Sequence, residues 1–480
     1  MPKTRVTKYE SLNERRRQGA LAVERVPLGE HARYEPQPGR PDAVGLLESQ
    51  NETRDQDLVP VRHGRMMASA FTFYRGAAKI MATDLAGTPN AGLTVQLCGD
   101  AHLSNFGLFA SPERTLVFDL NDFDETLPGP FEYDVKRMAA SFTIAARNNG
   151  YAKSDRRAIT RAAARAYREA LAEFASMSLL DVWYSHLTEQ ELMGAVEAAS
   201  KAASSKNLSK ADAEKAAKTA RKTAKKAHSR DSLQAMSKLA EQVDGRYRIV
   251  SQPPVVVPSR EIGPVYGLAP DELLDVFHVQ FRDYRKTLQY DRRQLLEHYE
   301  FVDMARKVVG VGSVGTRAFI VLLQGRDEQD PLFLQVKEAT ASVLEDHLPK
   351  SVFAEPGERV VQGQRMMQAS SDIFLGWTKG VQEGRHLYWR QLRDMKGSAL
   401  VETMIPYGME FYAGICGWTL ARAHARSGDA AAISAYLGET DEFDKAIVAF
   451  SDLYAEQNER DYAAFAEAIK SGRLEATEGT

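Results

Sequence analysis

The sequence predicts an α+β protein of two lobes, one mostly helical and one built around a small antiparallel sheet. Three observations lead there. Helical patterning rich in Ala, Arg and aromatic residues fills 131–195, returns at 270–303 and resumes from Tyr407 onward. Short β-like runs collect in two blocks, 93–120 and 306–339, with alternation and β-branched content. A length of 480 residues suits two or three compact units with a core that needs no staples.

Composition narrows the class. The chain is 44% hydrophobic and 26% charged with a formal net charge of -3, so nothing global points to nucleic acid or an anionic membrane. Cys98 and Cys416 are far apart and in no C-x-x-C spacing, which excludes a disulfide framework or zinc ribbon and fits a reducing cytosol. The first residues, MPKTRVTKYESLNERRRQG, are basic and polar with no apolar stretch behind them, so no secretory signal is expected. No apolar run approaches the roughly 18 residues of a membrane helix. The expectation is a cytoplasmic protein that engages no membrane.

Along the chain, 1–60 reads as an extended, Pro- and charge-rich lead-in. Residues 61–300 read as a helical region, 301–398 as a β-rich region, and 399–480 as helices that complete the first. Arg65 to about Leu85 has the pattern of one amphipathic helix, closed by GTPNAG. LTVQLCG, NFGLFA and TLVFDL follow as strands, the last two joined by the turn SPER as a hairpin. Residues 196–230 are almost all Ala, Lys and Ser, predicting a solvated helix or helical hairpin with a narrow apolar side. That stretch lacks the interleaved aromatics of a single-strand binder, so it reads as a charged face before it reads as an anion-binding arm. SQPPVVVPS (251–259) is a linker or an edge segment. RKVVGVGSVG, TRAFIVLLQG and PLFLQVKEA are strands, a helix starts at Pro356, and IFLGWTKG and HLYWRQL are two further strands.

The sharpest local feature is Gly99-Asp100-Ala101-His102-Leu103-Ser104-Asn105 between two strands, with Asp119, Asp122 and Asp124 following in FDLNDFDE. Phosphoryl transfer needs a carboxylate beside the attacking hydroxyl and hard oxygen ligands for Mg²⁺. An Asp, an Asn five residues on, and an Asp at a strand end supply that set. GDAHLSN resembles the G-D-x-H-x-x-N loop of aminoglycoside phosphotransferases and related small-molecule kinases, and DFDETLPGPFEYD resembles their metal-binding segment. The resemblance implies Asp100 as catalytic base and Asn105 and Asp122 as metal ligands. Asp119 and Asp124 are rivals to Asp122, His102 braces the loop, and Asp134 is a structural acid near a helix N-terminus.

In the second β block, Gly310, Gly312 and Gly315 sit on a hairpin where a backbone can approach phosphates closely. A strand follows them, not the helix of a dinucleotide fold. Lys337 lies among apolar neighbours in the next strand, where its charge needs an anionic partner. Glycine loop over two strands and lysine on the third is the nucleotide-gripping arrangement of protein kinases. On that likeness Glu358 pairs Lys337, with Glu355 and Glu345 as alternatives, and the ligands are ATP and Mg²⁺. Kinases place these parts before the catalytic loop; here they come after it. The resemblance therefore implies a circularly permuted, protein-kinase-like two-lobe fold, with RDMKGS (393–398) as hinge and helix 407–426 leading into the catalytic loop.

From FTFYRGAA through LARAHARSGD the chain also resembles an uncharacterised bacterial family, a domain of unknown function assigned to the kinase-like superfamily. His424, in that last phrase, reads as a packed helical residue. The expected function is ATP- and Mg²⁺-dependent phosphoryl transfer to a small-molecule or protein acceptor, nucleotidyl transfer being compatible with the same motifs. The alternatives are a nucleotide-binding regulator without turnover and a metal-dependent phosphoesterase, whose G-N-H-[DE] block is missing here.

Overall fold

Apolar residues dominate FIVLLQ and PLFLQVKE so thoroughly that both segments are buried on both faces, and they form the centre of the largest sheet. The computed structural model describes residues 10–203, 210–244, 246–267, 269–308, 310–392 and 395–477. The first β block supplies β1 (Thr94–Leu97), β2 (Phe106–Ala110), β3 (Leu116–Leu120) and β4 (Leu127–Pro130). A short β5 (Leu187–Thr188) and a hairpin of β6 (Ala240–Val243) and β7 (Arg246–Ile249) follow. Then come β8 (Val256–Pro258), β9 (Glu300–Lys307), β10 (Ala318–Gln324), β11 (Pro331–Glu338), β12 (Gly376–Lys379), β13 (His386–Gln391) and β14 (Gly397–Ser398).

The class is α+β with antiparallel sheets. A six-stranded sheet runs β12-β13-β11-β10-β9-β8 and a four-stranded one runs β14-β2-β3-β5. β1 pairs β4 antiparallel, Thr94 opposite Pro130. The expected β2–β3 hairpin is present, Phe106 opposite Leu120, and 251–259 supplies β8 at the sheet edge. The helices Glu189–Ala203 and Lys210–His228 pack together as the expected hairpin, with Ala217, Ala224 and Ala227 buried on its narrow apolar side. Positions 204–209 of that arm lie outside the described residues, as do 1–9 of the basic N-terminus, Val309 and 393–394 of the hinge.

Several expectations need correction. Residues 10–60 are largely helical, not extended. Ser11 and Glu14 form a reciprocal capping box on the Leu12–Arg25 helix, and Asp42 caps Ala43–Asn51. Ser11, Glu14 and Asp42 sit at helix starts, while Ala22, Val44 and Leu47 are buried. The single helix expected over 65–85 is three: Val59–Met67, Ala70–Gly76 and Ala78–Ala86, with Ser69 and Thr72 capping the second. Residues 270–303 hold the helices Pro270–Arg285 and Tyr290–Leu296 and the start of β9. Phe277, Phe281 and Tyr284 pack with Leu334 and Trp389, so this stretch joins the six-stranded sheet and not the helical region assigned to 61–300.

The helical body centres on Pro406–Ser427 packed against Lys153–Phe174 and Glu132–Asn148. Among the described residues, no helix is long and apolar enough to cross a membrane.

Candidate active site

The acidic loop is held in place from below. β1 delivers the chain to Gly99, whose φ of +86° lies in the left-handed region. A Cβ there would come within 2.2 Å of the Glu125 carbonyl oxygen, so glycine is required. Asp134, buried in the first turn of Glu132–Asn148, accepts the N–H groups of Cys98 at 2.6 Å and Gly99 at 3.0 Å. His424 Nε2 lies 3.2 Å from the same carboxylate and its Nδ1 2.8 Å from the Tyr167 hydroxyl. Asp134 is thus the structural acid, and His424 packs as expected.

One residue beyond this anchor, Asp100 Oδ1 accepts Nε of Arg137 at 2.8 Å and its Nη2 at 2.7 Å. Arg137 is itself fixed, donating to the Tyr74 carbonyl at 2.9 Å and lying 3.8 Å over the Tyr74 ring. Asn105 donates its amide N–H to the Asp100 carbonyl at 2.8 Å, which leaves the amide oxygen as the atom a cation could use. His102 Nδ1 accepts the N–H of Ser104 at 3.3 Å, so the ring proton sits on Nε2, 3.7 Å from Asp100. Burial, together with Arg137 and Arg75, pushes His102 well below its ordinary value and keeps the ring neutral. A neutral imidazole bonded within its own loop is a brace.

Lys337 comes from the second β block, in β11, with Ala318 and Tyr388 opposite it on either side. Its Nζ lies 3.2 Å from Asp122 and 2.5 Å from Asp124, partners 215 and 213 residues away in sequence. Tyr388 donates its hydroxyl to the other oxygen of Asp124 at 2.6 Å. Burial alone would depress the ammonium, but Asp122 and Asp124 reverse that and hold Lys337 above an ordinary lysine. Burial would raise Asp124; the Lys337 charge and hydrogen bond outweigh it and bring the carboxyl down.

The glycine loop joins β9 to β10, which are antiparallel neighbours in the six-stranded sheet. Gly310 and Gly315 take φ of +64° and +88°. Arg65 donates to the Gly310 carbonyl at 2.7 Å, Arg54 to that of Val314 at 2.5 Å, and the Asp55 N–H to that of Gly315 at 2.7 Å. The segment expected to be a mere lead-in therefore clamps this loop. Below it lies a cavity of about 440 Å³, in the range of small-ligand sites, lined by Asp100, Asn105, Asp122, Asp124, Gly310 and Gly312.

Two expected site residues are elsewhere. Asp119 is 1% exposed and forms a buried ion pair with Arg422 while accepting the Ala369 N–H at 2.8 Å. It sits near the end of β3, turned to Arg422 of the helical body, and is not among the residues lining the cavity. Glu358 does not meet Lys337: Glu355 pairs Lys379 at 3.4 Å, Glu345 lies 3.9 Å from Arg359, and Glu358 is half-buried at the start of its helix. The next residue turns inward. Arg359 donates to the carbonyls of Thr126 at 2.6 Å and of Asp124 and Thr340 at 2.8 Å. Sequence reasoning missed Arg359, Arg137 and Tyr388. Arg137 and Arg359 lie in helices rich in other polar residues, so no local signal singled them out as the apolar strand singled out Lys337.

The donors present suit a hard cation. Among the described residues no group of three or more His, Cys, Asp or Glu could hold a metal alone. Two carboxylates and an amide oxygen fit Mg²⁺, which keeps waters and shares its shell with phosphates.

Fold and site together define an α+β protein with a lysine–carboxylate cluster in a cleft between its six-stranded sheet and its helical body. Residues 54–468 match the family described as an uncharacterized protein conserved in bacteria (DUF2252), and the chain belongs to that family. No curated protein and no solved structure matches it.

Proposed function

We propose that this protein is an ATP- and Mg²⁺-dependent phosphotransferase with a circularly permuted kinase-like arrangement. The observation that carries the reading is Lys337 paired with Asp122 and Asp124, two carboxylates that share the walls of one cavity with Asp100 and the glycine loop. Those parts serve phosphoryl transfer together, and they come from segments more than two hundred residues apart. The permutation has its own support. Ser427, ending the Pro406–Ser427 helix, accepts the Gln96 N–H of β1 at 3.0 Å, so that helix abuts the strand feeding the acidic loop.

Bound ATP and Mg²⁺ would supply the transferable phosphoryl group and neutralise its charge. Asp122, Asp124 and Asn105 would hold the metal, and Lys337 and the glycine loop the phosphates. Asp100, fixed by Arg137, orients the acceptor hydroxyl and takes its proton as the new P–O bond forms. The bond from the γ-phosphorus to the bridging oxygen breaks, and that oxygen keeps the electron pair as ADP leaves.

The test is a melt with ATP and Mg²⁺, followed by labelled nucleotide. Stabilisation should appear in the wild type and vanish in Lys337→Ala and Asp122→Ala. Label should move to the acceptor from the γ position; label moving from the α position would make the reaction nucleotidyl transfer. Melting indifferent to ATP and to chelator would refute the reading.

A further inference from the structure

The N-terminal segment brings a cationic wall to the cavity that the proposed chemistry does not use. Arg54, Arg75 and Lys79 line it opposite the acidic groups. Arg54 is 8% exposed; one nitrogen donates to the Val314 carbonyl at 2.5 Å, and its enclosed Nε has no partner. Arg75 is half-buried with its Nε enclosed, and it makes no hydrogen bond or ion pair among the described residues. Its nearest ring contact is Phe71, at 6.0 Å. Lys79 has one ion pair, 3.5 Å to Asp346, whose side chain is 54% exposed.

A guanidinium taken out of water without a partner is costly, and the neighbouring buried arginines avoid that cost. Arg137 has Asp100, Arg359 has three carbonyls, and Arg390 has Gln335 and the Asn121 carbonyl. Arg75 differs from these in making no side-chain hydrogen bond among the described residues, while the enclosed Nε of Arg54 lacks a partner as that of Arg359 does. Burial depresses both guanidinium groups, Arg54 to about 10 and Arg75 below its ordinary value. An oxyanion bound between Arg75, Arg54 and Lys79 would restore the missing partners, since guanidinium groups bind carboxylates and phosphates through paired N–H donors.

Arg75 follows Tyr74 directly, and the Tyr74 carbonyl holds the same Arg137 that holds Asp100. On the phosphotransferase reading the nucleotide phosphates would have Lys337, and a cation held by Asp122 and Asp124, as their own partners. We infer that the acceptor is an anion, and that Arg75, with Arg54 and Lys79, grips its phosphate or carboxylate group while Asp100 meets its hydroxyl. The acceptor role rests on the phosphotransferase reading; the anion site itself does not.

The test uses inorganic phosphate as probe, titrated by calorimetry into the whole protein with and without saturating MgATP. Phosphate should bind the wild type in both conditions. Arg75→Gln should weaken it about tenfold and Lys79→Gln several-fold, a loss of about 1.4 kcal/mol for the former. ATP affinity should stay within about threefold in both variants, and both should melt cooperatively, the half-buried Lys79 change guarding against misfolding in the other. Acetate in place of phosphate separates the two sources of the oxyanion, and binding of either that is lost in Arg75→Gln supports the site. Phosphate binding unchanged in both variants overturns the inference. So does phosphate displaced by ATP, or ATP affinity falling in step with phosphate, because the cations would then serve the nucleotide. A wild type that binds phosphate through Arg75 but never binds ATP sinks the phosphotransferase reading and leaves the anion site standing.

Discussion

The contact between Lys337 and Asp124 is the joint on which the two halves of the site meet, and a double-mutant cycle measures it. The variants are Lys337→Met, Asp124→Asn and the pair, Met being chosen to keep the volume of a side chain that is 2% exposed. A unit charge pair near 3 Å attracts by roughly 5 kcal/mol at an effective dielectric of about 20. The carboxylates of Asp122 and Asp124 are 32% and 28% exposed, so solvent screens part of that attraction. Desolvation of the ammonium removes more, leaving a coupling of about 1.5–3 kcal/mol. Lys337→Met alone also leaves two carboxylates facing each other without a cation. That variant should melt lower, and added Mg²⁺ should recover part of the loss by replacing the ammonium between them. For a chain of this length each kcal/mol corresponds to about 1 °C at the melting midpoint, so denaturant titration is the better readout. A coupling below about 0.5 kcal/mol, with Mg²⁺ failing to restore Lys337→Met, would refute the reasoning.

Asp100→Asn should abolish turnover while ATP affinity, read by calorimetry, stays within about threefold; normal turnover would remove Asp100 from the base role and retained chemistry would need another proton acceptor. Asp119→Asn should destabilise the fold by about 2–4 kcal/mol in denaturant titration, because it strands Arg422, yet leave ATP and Mg²⁺ affinity intact, the opposite of Asp122→Asn. Lys396 gives a pH signature. Burial, with Arg390 beside it, pushes its ammonium down to about 7. The folded state then binds fewer protons than the unfolded chain between about pH 7 and 10.5, so stability falls as pH drops across that window and the penalty is complete below about 7. Lys396→Met should therefore gain most over the wild type at pH 6.5, with the gap narrowing by pH 9.5 in thermal melts; a constant gap would refute it.

Local chemistry made the acidic loop and the lysine strand legible. Gly99, Asp100 and Asn105 sit within seven residues, and a lysine in PLFLQVKE contradicts its surroundings unless paired, so each could be found without knowing the fold. The partner of Lys337 was not legible. Which carboxylate reaches it depends on how two sheets approach, and analogy favoured a helix glutamate where the structure uses Asp122 and Asp124. Asp119 and Asp122 differ by three positions in one acidic run, and only the direction of β3 separates a buried ion pair from a cavity carboxylate. The 10–60 region was misread because its prolines and charges match both disorder and helix caps. The hydrophobic residues that decide between those, Val44 and Leu47 among them, bury against elements remote in sequence.

Asp134 explains why an acidic loop supplied by the early part of the chain can work with helices supplied by the end. Its carboxylate takes two backbone N–H groups immediately before Asp100 and faces His424 from the Pro406–Ser427 helix. A shift of that helix would therefore be felt at the acidic loop through one buried group, not through the chain. Three residues further along the same helix, Ser427 holds Gln96 of β1. Those two contacts, 290 and 331 residues apart in sequence, tie a helix near the end of the chain to the strand and loop near its start. The proposed permutation would cost little under such conditions, because Asp100 is held by Arg137 and, through Cys98 and Gly99, by Asp134, whichever end of the chain delivers it.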